Sequence, residues 1–137
     1  MSADPVSFSF GDSPQMADEL LGLVLAGKKT ATCGALRDFD GTRSSEPMPV
    51  VGRQDVVLDG QGRPAALIET LDVAFCRFDE IDADFAEAEG EGPFETWHSG
   101  HQTYFTRNGG FDPKMKLVCE RFKLVRDLRA DQTRPEK

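Results

Sequence analysis

The sequence predicts an α+β domain in which a small barrel or a strongly curved sheet packs against a few helices. One segment has helical periodicity, several others have the alternating apolar residues of strands, and glycine-rich turns separate them. At 137 residues the chain is most simply one domain. A domain of that size buries roughly two-thirds of its unfolded surface, so no disulfide or metal is needed to hold it together.

The first predicted element is a helix over about 14–26. Asp12 or Ser13 can cap its first turn, and Gln15 follows Asp12 in capping-box spacing. Gly27 can adopt the left-handed conformation that ends a helix. Apolar residues recur at helical intervals and predict one buried face: Met16, Leu20, Leu23 and Val24.

Strands are predicted after this helix. The β-branched Thr30 and Thr32 favour a strand, which is followed by a polar loop through 37–49. The segment 54–75 predicts a β-hairpin with its turn at 59–62. The candidate inward residues of this hairpin are Val56, Leu58, Ala66 and Ile68.

The second half of the chain predicts two short helices and a closing strand. The acidic segment 79–89 is ended by Gly90 and Gly92, and 93–105 forms an aromatic helix. In the strand over 115–125, one face is expected to hold Val118, Phe122 and Leu124 and the other Leu117 and Cys119. We therefore expect one domain over 1–126 and a polar, flexible tail over 127–137.

Composition excludes several classes of protein. A net charge of −8 argues against a protein that coats duplex DNA. Three widely spaced cysteines without C-x-x-C spacing (Cys33, Cys76 and Cys119) fit neither a disulfide framework nor a zinc ribbon and favour a reducing cytoplasm. No segment approaches the roughly 20 apolar residues of a membrane span. The chain is expected to be soluble, cytoplasmic and without contact to a membrane.

Charge is unevenly distributed. Over 28–63 there are six cations and five acids, whereas 69–95 holds ten acids and only Arg77. A local cationic pocket for a small or single-stranded anionic substrate is therefore compatible with the negative net charge of the chain, although a broad basic surface is not.

The pattern G-x-K-x-x-T, present as Gly27, Lys29 and Thr32 behind a capped helix, resembles the signature of the ASCH domain, a member of the PUA-like superfamily. The segments "FGDSP", "AEAEGEG", "TWHSGH" and "MKLVCERFKLV" extend the resemblance to a bacterial ASCH subgroup over nearly the whole chain. The resemblance implies a five- or six-stranded β-barrel with flanking helices and a cleft at one opening. It also implies a role related to RNA or nucleotides.

Two activities are implied by similar domains. One subgroup deacetylates N4-acetylcytidine with a lysine, a threonine and a glutamate, which correspond to Lys29, Thr32 and Glu89 here. Another bacterial member is a ribonuclease that acts on single-stranded RNA. No cofactor is expected. Paired glutamates such as Glu89 and Glu91 can hold Mg²⁺ or Mn²⁺, but one loop of carboxylates without a second cluster is weak evidence for a metal.

Elementary chemistry leaves the role of Lys29 open. Lysine is a general base only if burial or nearby positive charge lowers its pKa, whereas a helix C-terminus and a facing Glu89 favour the cation. Lys29 is then an electrostatic clamp for a phosphate or an oxyanion. Residues 29 and 32 point to opposite faces of a regular strand, so their convergence requires a turn or bulge after Gly27.

Further residues are candidates for substrate binding, each with a structural alternative. Lys28 and Thr30 flank the motif lysine, and Arg53 could contact a phosphate or lie on the surface. Trp97 and Tyr104 could stack on bases at the rim of the cleft, although an aromatic stripe on a helix more often belongs to a core. His98 and His101 have H-x-x-H spacing, but no third ligand is evident, so structural roles are favoured and no metal site is predicted.

The sequence therefore predicts a PUA-like domain that recognises single-stranded RNA, a nucleotide or a nucleoside. The first hypothesis is a hydrolase with a cationic cleft, namely a ribonuclease acting on single-stranded RNA. The alternatives are an amidohydrolase that deacetylates N4-acetylcytidine-type nucleosides and a module that binds RNA or a modified nucleotide without turnover. The oligomeric state is left open.

Overall fold

The computed structural model describes residues 6–39 and 48–129 and has the predicted α+β architecture. Most of the predicted loop and most of the predicted tail lie outside these ranges. Two short 3-10 helices, at 36–39 and 78–80, join larger elements. The helices and strands in chain order are β1 (Ser7–Phe8), α1 (Pro14–Leu25), β2 (Ala31–Ala35), β3 (Gln54–Leu58), β4 (Pro64–Arg77), α2 (Ala83–Glu89), α3 (Phe94–Arg107) and β5 (Lys116–Asp127).

Helix α1 begins and ends close to the predicted residues. The Ser13 side chain caps it by accepting a hydrogen bond from the Met16 amide at 3.1 Å. The capping box between Asp12 and Gln15 does not form, because the Gln15 amide faces Glu19 and Asp12 binds elsewhere. The buried face is also displaced from the prediction and consists of Ala17, Leu21 and Val24.

The hairpin of β3 and β4 forms with its turn at 59–62, as predicted. Its inward positions in β3 are wrong by one residue, because Val57 is fully buried while Val56 and Leu58 are half-buried. The prediction is right in β4, where Ala66 and Ile68 are fully buried. A register shift between Val57 and Leu58 displaces the pleat at the end of β3.

The five strands form one sheet in the order β1-β3-β4-β5-β2. The long strands β4 and β5 pair antiparallel and have two register shifts, which bend the sheet. Strands β1 and β2 are its edges in the described part of the chain, so the sheet is not closed there into a hydrogen-bonded barrel. Strand β5 extends to Asp127, one residue past the predicted domain boundary.

Helices α2 and α3 cover one half of the sheet. Trp97, His101 and Phe105 follow one another along α3 in ring contact, as the helical spacing predicted. Trp97 also stacks on Phe78 and is 1% exposed, so the aromatic face of α3 lies in the core. Within the described residues, no helix has the length and apolarity needed to cross a membrane.

Candidate functional site

A cleft with two chambers lies between the two edge strands of the sheet. Its walls come from the β1 segment, β2, α3 and the end of α2. The Arg53 chamber has a volume of about 120 Å³ and includes Arg53, Asp55 and Glu120. The Lys29 chamber has a volume of about 110 Å³ and includes Lys29, Glu89 and His101. The two chambers are adjacent, since five residues line both: Phe10, Gly11, Thr32, Cys33 and Tyr104.

The Lys29 ammonium is the centre of the smaller chamber. It is 2.9 Å from Glu89 Oε1 and 3.2 Å from Glu91 Oε2, and it lies over the Phe10 ring at 5.3 Å. The side chains of Lys29 and Glu89 are each 1% exposed, whereas that of Glu91 is 23% exposed. The third N–H group of the ammonium has only a long hydrogen bond, 3.5 Å, to the main-chain carbonyl of Glu89. An acceptor from a substrate can therefore be bound there.

The charges of this pair are fixed by their neighbours. Burial by itself would lower the pKa of Lys29, but the carboxylates of Glu89 and Glu91 raise it above its ordinary value. Burial would likewise raise the pKa of Glu89, but Lys29 and then His101 lower it. Lys29 is therefore a cation and Glu89 an anion at neutral pH. Of the two roles that the sequence left open, the clamp is compatible with this protonation state and the general base is not.

The chain places Lys29 by leaving regular structure between α1 and β2. Gly27 has φ of 79°, and the amides of Lys28 and Lys29 both donate to the Leu23 carbonyl. Strand β2 begins only at Ala31, so strand alternation does not separate residues 29 and 32. Lys29 and Thr32 line one chamber, and the predicted irregularity after Gly27 is present.

The end of α2 places Glu89. Gly90 caps this helix with φ of 77°, and the Thr30 amide donates to the Ala88 carbonyl at 2.7 Å. A Cβ at Gly90 would lie 2.5 Å from the Lys28 carbonyl oxygen. Because only glycine permits this approach, the ends of α1 and α2 are in main-chain contact, and the two charges meet.

His101 and Cys33 lie next to Glu89. The second carboxylate oxygen of Glu89, Oε2, is buried without a close hydrogen-bond partner in the described part of the chain, and His101 Nε2 is 3.8 Å from it. His101 Nδ1 is 2.9 Å from the Trp97 carbonyl, which can only accept, so Nδ1 bears the hydrogen and Nε2 faces the chamber. Burial, and then the charge of Glu89, raises the pKa of the Cys33 thiol well above its ordinary value. The thiol is therefore protonated at neutral pH.

The Arg53 chamber contains a second buried polar cluster. Arg53 forms a two-point ion pair with Asp55, at 2.7 and 3.0 Å, and Nη1 donates to the Met48 carbonyl. The hydrogen bonds and charge of Asp55 raise the pKa of Arg53. Opposite, the Thr70 hydroxyl donates to Glu120 at 2.6 Å. Arg53 thus holds the chain at 48–55 through groups within the protein.

The described walls of the cleft are acidic, which corrects the prediction of a cationic cleft. In the Arg53 chamber three acids (Asp38, Asp55 and Glu120) accompany one arginine. In the Lys29 chamber Glu89 and Glu91 accompany one lysine. The sequence count did not reveal this arrangement for two reasons. Glu89, Glu91 and Glu120 lie far from Lys29 along the chain, and a count over 28–63 cannot show that Asp38 and Asp55 face the cleft. Phosphate is disfavoured at a site where each cation is already matched by a carboxylate.

Some predicted binding residues lie elsewhere. Lys28 and Thr30 are exposed and line neither chamber, because they lie on the outside of the link between α1 and β2. Trp97 is in the core instead of at the rim, since its ring fills the space between Phe78 and His101. Tyr104 and Arg53 do line the cleft. Thr32, Lys29 and Glu89 are brought together in the Lys29 chamber, where their functional roles stay predictions.

Sequence reasoning missed the position of His101. The two histidines separate, because His98 packs against Phe78 and Phe94 while His101 turns toward Glu89. One signal was available: His101 is four residues after Trp97, so both lie on one side of α3. No local sequence pattern indicated that Cys33, on β2, would lie next to the same carboxylate of Glu89.

Comparisons with known proteins agree with this fold. A family model described as the ASCH domain matches residues 6–126. The crystal structure of protein EF3133 from Enterococcus faecalis V583 is 31% identical with a TM-score of 0.84 and covers 100% of this chain and 88% of its own. The ASCH domain from Lactobacillus crispatus JV V101 is 31% identical with a TM-score of 0.78, over 88% of this chain and 79% of that one.

A more distant ASCH structure, from Zymomonas mobilis, is 12% identical with a TM-score of 0.53 over 93% of this chain and 73% of its own, and this likeness concerns the fold alone. Among curated protein sequences, none matches this chain.

Proposed function

This chain belongs to the ASCH domain family, and on that premise we propose that it hydrolyses the amide of a small, uncharged acylated nucleobase or nucleoside of the N4-acetylcytidine type. The observation that supports this best is the buried pair of Lys29 and Glu89 in a chamber that also contains Thr32. The pair combines a fixed positive charge with an unpartnered carboxylate oxygen at one point of the cleft.

Each group has a distinct task in the reaction. The Thr32 hydroxyl, or a water in its place, attacks the acyl carbon, and the carbonyl oxygen becomes an oxyanion that the Lys29 ammonium stabilises. Glu89 Oε2 accepts the proton of the attacking hydroxyl and returns it to the nitrogen of the base as the C–N bond breaks. If Thr32 attacks, a water then releases the acyl group from its oxygen by the same proton transfers.

The charge of the cleft supports an uncharged substrate over RNA. Lys29 and Arg53 are both engaged by carboxylates, and Asp38 and Glu120 add further negative charge to the walls. A phosphodiester would approach these carboxylates at close range, where like charges repel. The aromatic rings of Phe10 and Tyr104 instead offer apolar surface to a flat heterocycle.

The test compares three substrates: N4-acetylcytidine, its 5′-monophosphate and single-stranded RNA. We expect the nucleoside to be deacetylated faster than the monophosphate, and the RNA to stay intact. Glu89→Gln should lower kcat/KM for the nucleoside by about 10²-fold or more, as is typical when a proton acceptor is removed. Thr32→Val should lower it by a similar factor where the hydroxyl is the nucleophile, whereas near-full activity would assign the attack to water.

Matched controls lie next to the tested residues. Glu87→Gln and Thr30→Val make the same changes two positions from Glu89 and Thr32 but outside both chambers, and they should keep the activity of the unaltered protein. Cleavage of RNA without deacetylation, or full deacetylation by Glu89→Gln in a folded protein, would overturn the proposal.

A further inference from the structure

We infer that Cys33, Glu89 and His101 form a binding site for one Zn²⁺ ion, with an open fourth position toward the Lys29 chamber. One thiol sulfur, one carboxylate oxygen and one imidazole nitrogen, from β2, α2 and α3, lie within 4.8 Å of one another. Mixed sulfur, nitrogen and oxygen ligands suit Zn²⁺ better than Mg²⁺ or Ca²⁺, which prefer oxygen alone.

The unpartnered oxygen of Glu89 is the first argument. Among the described residues, Oε2 is buried without a close hydrogen-bond partner, while Oε1 is held at 2.9 Å by Lys29. The Cys33 thiol, a weak donor, lies beside this carboxylate and helps to lower the pKa of Glu89. A buried carboxylate oxygen without a protein partner is costly, so such an atom accepts a hydrogen bond from water or binds a cation. Lys29 fixes the carboxylate in the orientation that directs Oε2 toward His101 and Cys33.

The orientation of His101 is the second argument. Its Nδ1 donates to the Trp97 carbonyl at 2.9 Å, and its ring stacks on the Trp97 indole at 4.4 Å. Ligating histidines commonly donate their other ring nitrogen to a carbonyl in this way, which fixes the tautomer. His101 Nε2 lies 3.8 Å from Glu89 Oε2, close to the separation of roughly 3.5 Å between two ligands of a tetrahedral zinc.

Charge balance is the third argument. Without a metal, the chamber combines one cation, Lys29, with the carboxylates of Glu89 and Glu91. The ion adds two positive charges, and the Cys33 thiol adds one negative charge when it releases its proton to bind. The four side chains and the ion then sum to zero, which favours their burial in one place.

Three protein ligands and an open position are the arrangement of zinc sites that bind a water or a substrate. The metal ion would bind to Glu89 Oε2, which is also the atom that accepts a proton in the proposed hydrolysis. The zinc-loaded and the hydrolytic forms are therefore alternatives. Metal binding is measured without substrate, so failure of either idea leaves the other standing.

The test is titration of the metal-stripped full chain with Zn²⁺ and, separately, with Co²⁺ as a spectroscopic substitute. We expect one equivalent to bind and the Co²⁺ form to show a thiolate charge-transfer band. Cys33→Ser should remove that band, and Cys33→Ser and His101→Gln should each weaken Zn²⁺ binding by more than about 10-fold. Cys76→Ser and His98→Gln are the matched controls and should bind as the unaltered chain does.

A second measurement counts the protons released. Zn²⁺ binding through a thiolate releases the proton of that thiol, so one equivalent of Zn²⁺ should release about one proton at neutral pH from the unaltered chain and not from Cys33→Ser, as read by a pH indicator in weakly buffered solution. Absence of the thiolate band together with absence of proton release would overturn the inference, as would full Zn²⁺ affinity in Cys33→Ser.

Discussion

At the scale of single residues, the molecule depends on a lysine that has almost no contact with water. Burying Lys29 and Glu89 costs hydration free energy that their attraction recovers only while both are present. Lys29→Met should therefore lower the free energy of unfolding by about 3–5 kcal/mol, because it leaves Glu89 charged and unpaired.

The double variant Lys29→Met/Glu89→Leu should regain most of that loss, and Glu89→Leu alone should be as harmful as Lys29→Met. Urea unfolding of all four proteins measures the coupling free energy. Additive losses in the double variant would contradict the interpretation that the two side chains act as a pair.

The sequence predicted the identity of this pair better than its surroundings. The resemblance to the ASCH signature, through the G-x-K-x-x-T spacing and the acidic end of α2, selected Lys29, Thr32 and Glu89, whose functional roles stay predictions. Cys33 could not be selected, and helical spacing indicated only the side of α3 on which His101 lies. The proximity of the two residues depends on how β2 and α3 pack, and packing leaves no local pattern. The acidity of the cleft was missed for the same reason.

At the scale of elements, the contact between the ends of α1 and α2 depends on one glycine. Gly90→Ala would force a left-handed conformation on alanine and bring its Cβ against the Lys28 carbonyl, so a loss of about 1–3 kcal/mol or more in unfolding free energy is expected.

Gly22→Ala is the matched control for this substitution. Gly22 lies within α1 with no atom within 4 Å of the added methyl group, so the change should stabilise the protein by about 0.5–1 kcal/mol. Chemical denaturation of both variants tests the contrast, and equal effects at the two positions would argue against a special role for Gly90.

A second contact between elements depends on pH. Asp12 accepts hydrogen bonds from Arg107 at 2.7 and 3.1 Å and from Asn108 at 2.7 Å, which joins the start of α1 to the end of α3. These bonds, those from Arg107 first, lower the pKa of Asp12 to about 2. Since the folded pKa is depressed, the stabilisation is complete above the ordinary pKa of aspartate and is lost as the pH falls toward 2.

Asp12→Asn should therefore lower the melting temperature at neutral pH, and the difference from the unaltered protein should narrow as the pH falls from about 4 to 2. Thermal melts monitored by circular dichroism over this range provide the measurement. A difference that is constant with pH would mean that the charge of Asp12 contributes nothing.

The elements themselves were largely predictable, because each one has strong local signals. Ser13 and Pro14 mark the start of α1 and Gly27 follows its end, and the glycine-rich turn marks where the two strands of the hairpin meet. The inward residues of β3 were not predictable, since Val56, Val57 and Leu58 are all apolar and alternation alone cannot choose between the two faces. The pairing of Val57 with Ala66 and of Asp55 with Ile68 makes that choice. The same limit applies to α1, where Ala17 and Leu21 are buried in place of Met16 and Leu20, because a helix face is chosen by what packs against it.

At the scale of the whole molecule, charge governs which partners can approach. The net charge of −8 and the acidic cleft predict that long duplexes bind weakly and lose affinity further as salt rises. Fluorescence anisotropy with a labelled duplex at low and at physiological salt measures this. Tight binding at physiological salt would reveal a basic surface that the described residues do not form.

The burial of Lys29 and Glu89 also gives the molecule a characteristic response to temperature. The hydration of charged groups has a strongly negative entropy, so withdrawing an ammonium and a carboxylate from water becomes easier on warming. The ion pair therefore opposes folding most in the cold and least in the heat. An apolar pair in the same position has no such desolvation cost to lose. The contribution of the charged pair to folding stability therefore improves, relative to that of an apolar pair, as the temperature rises.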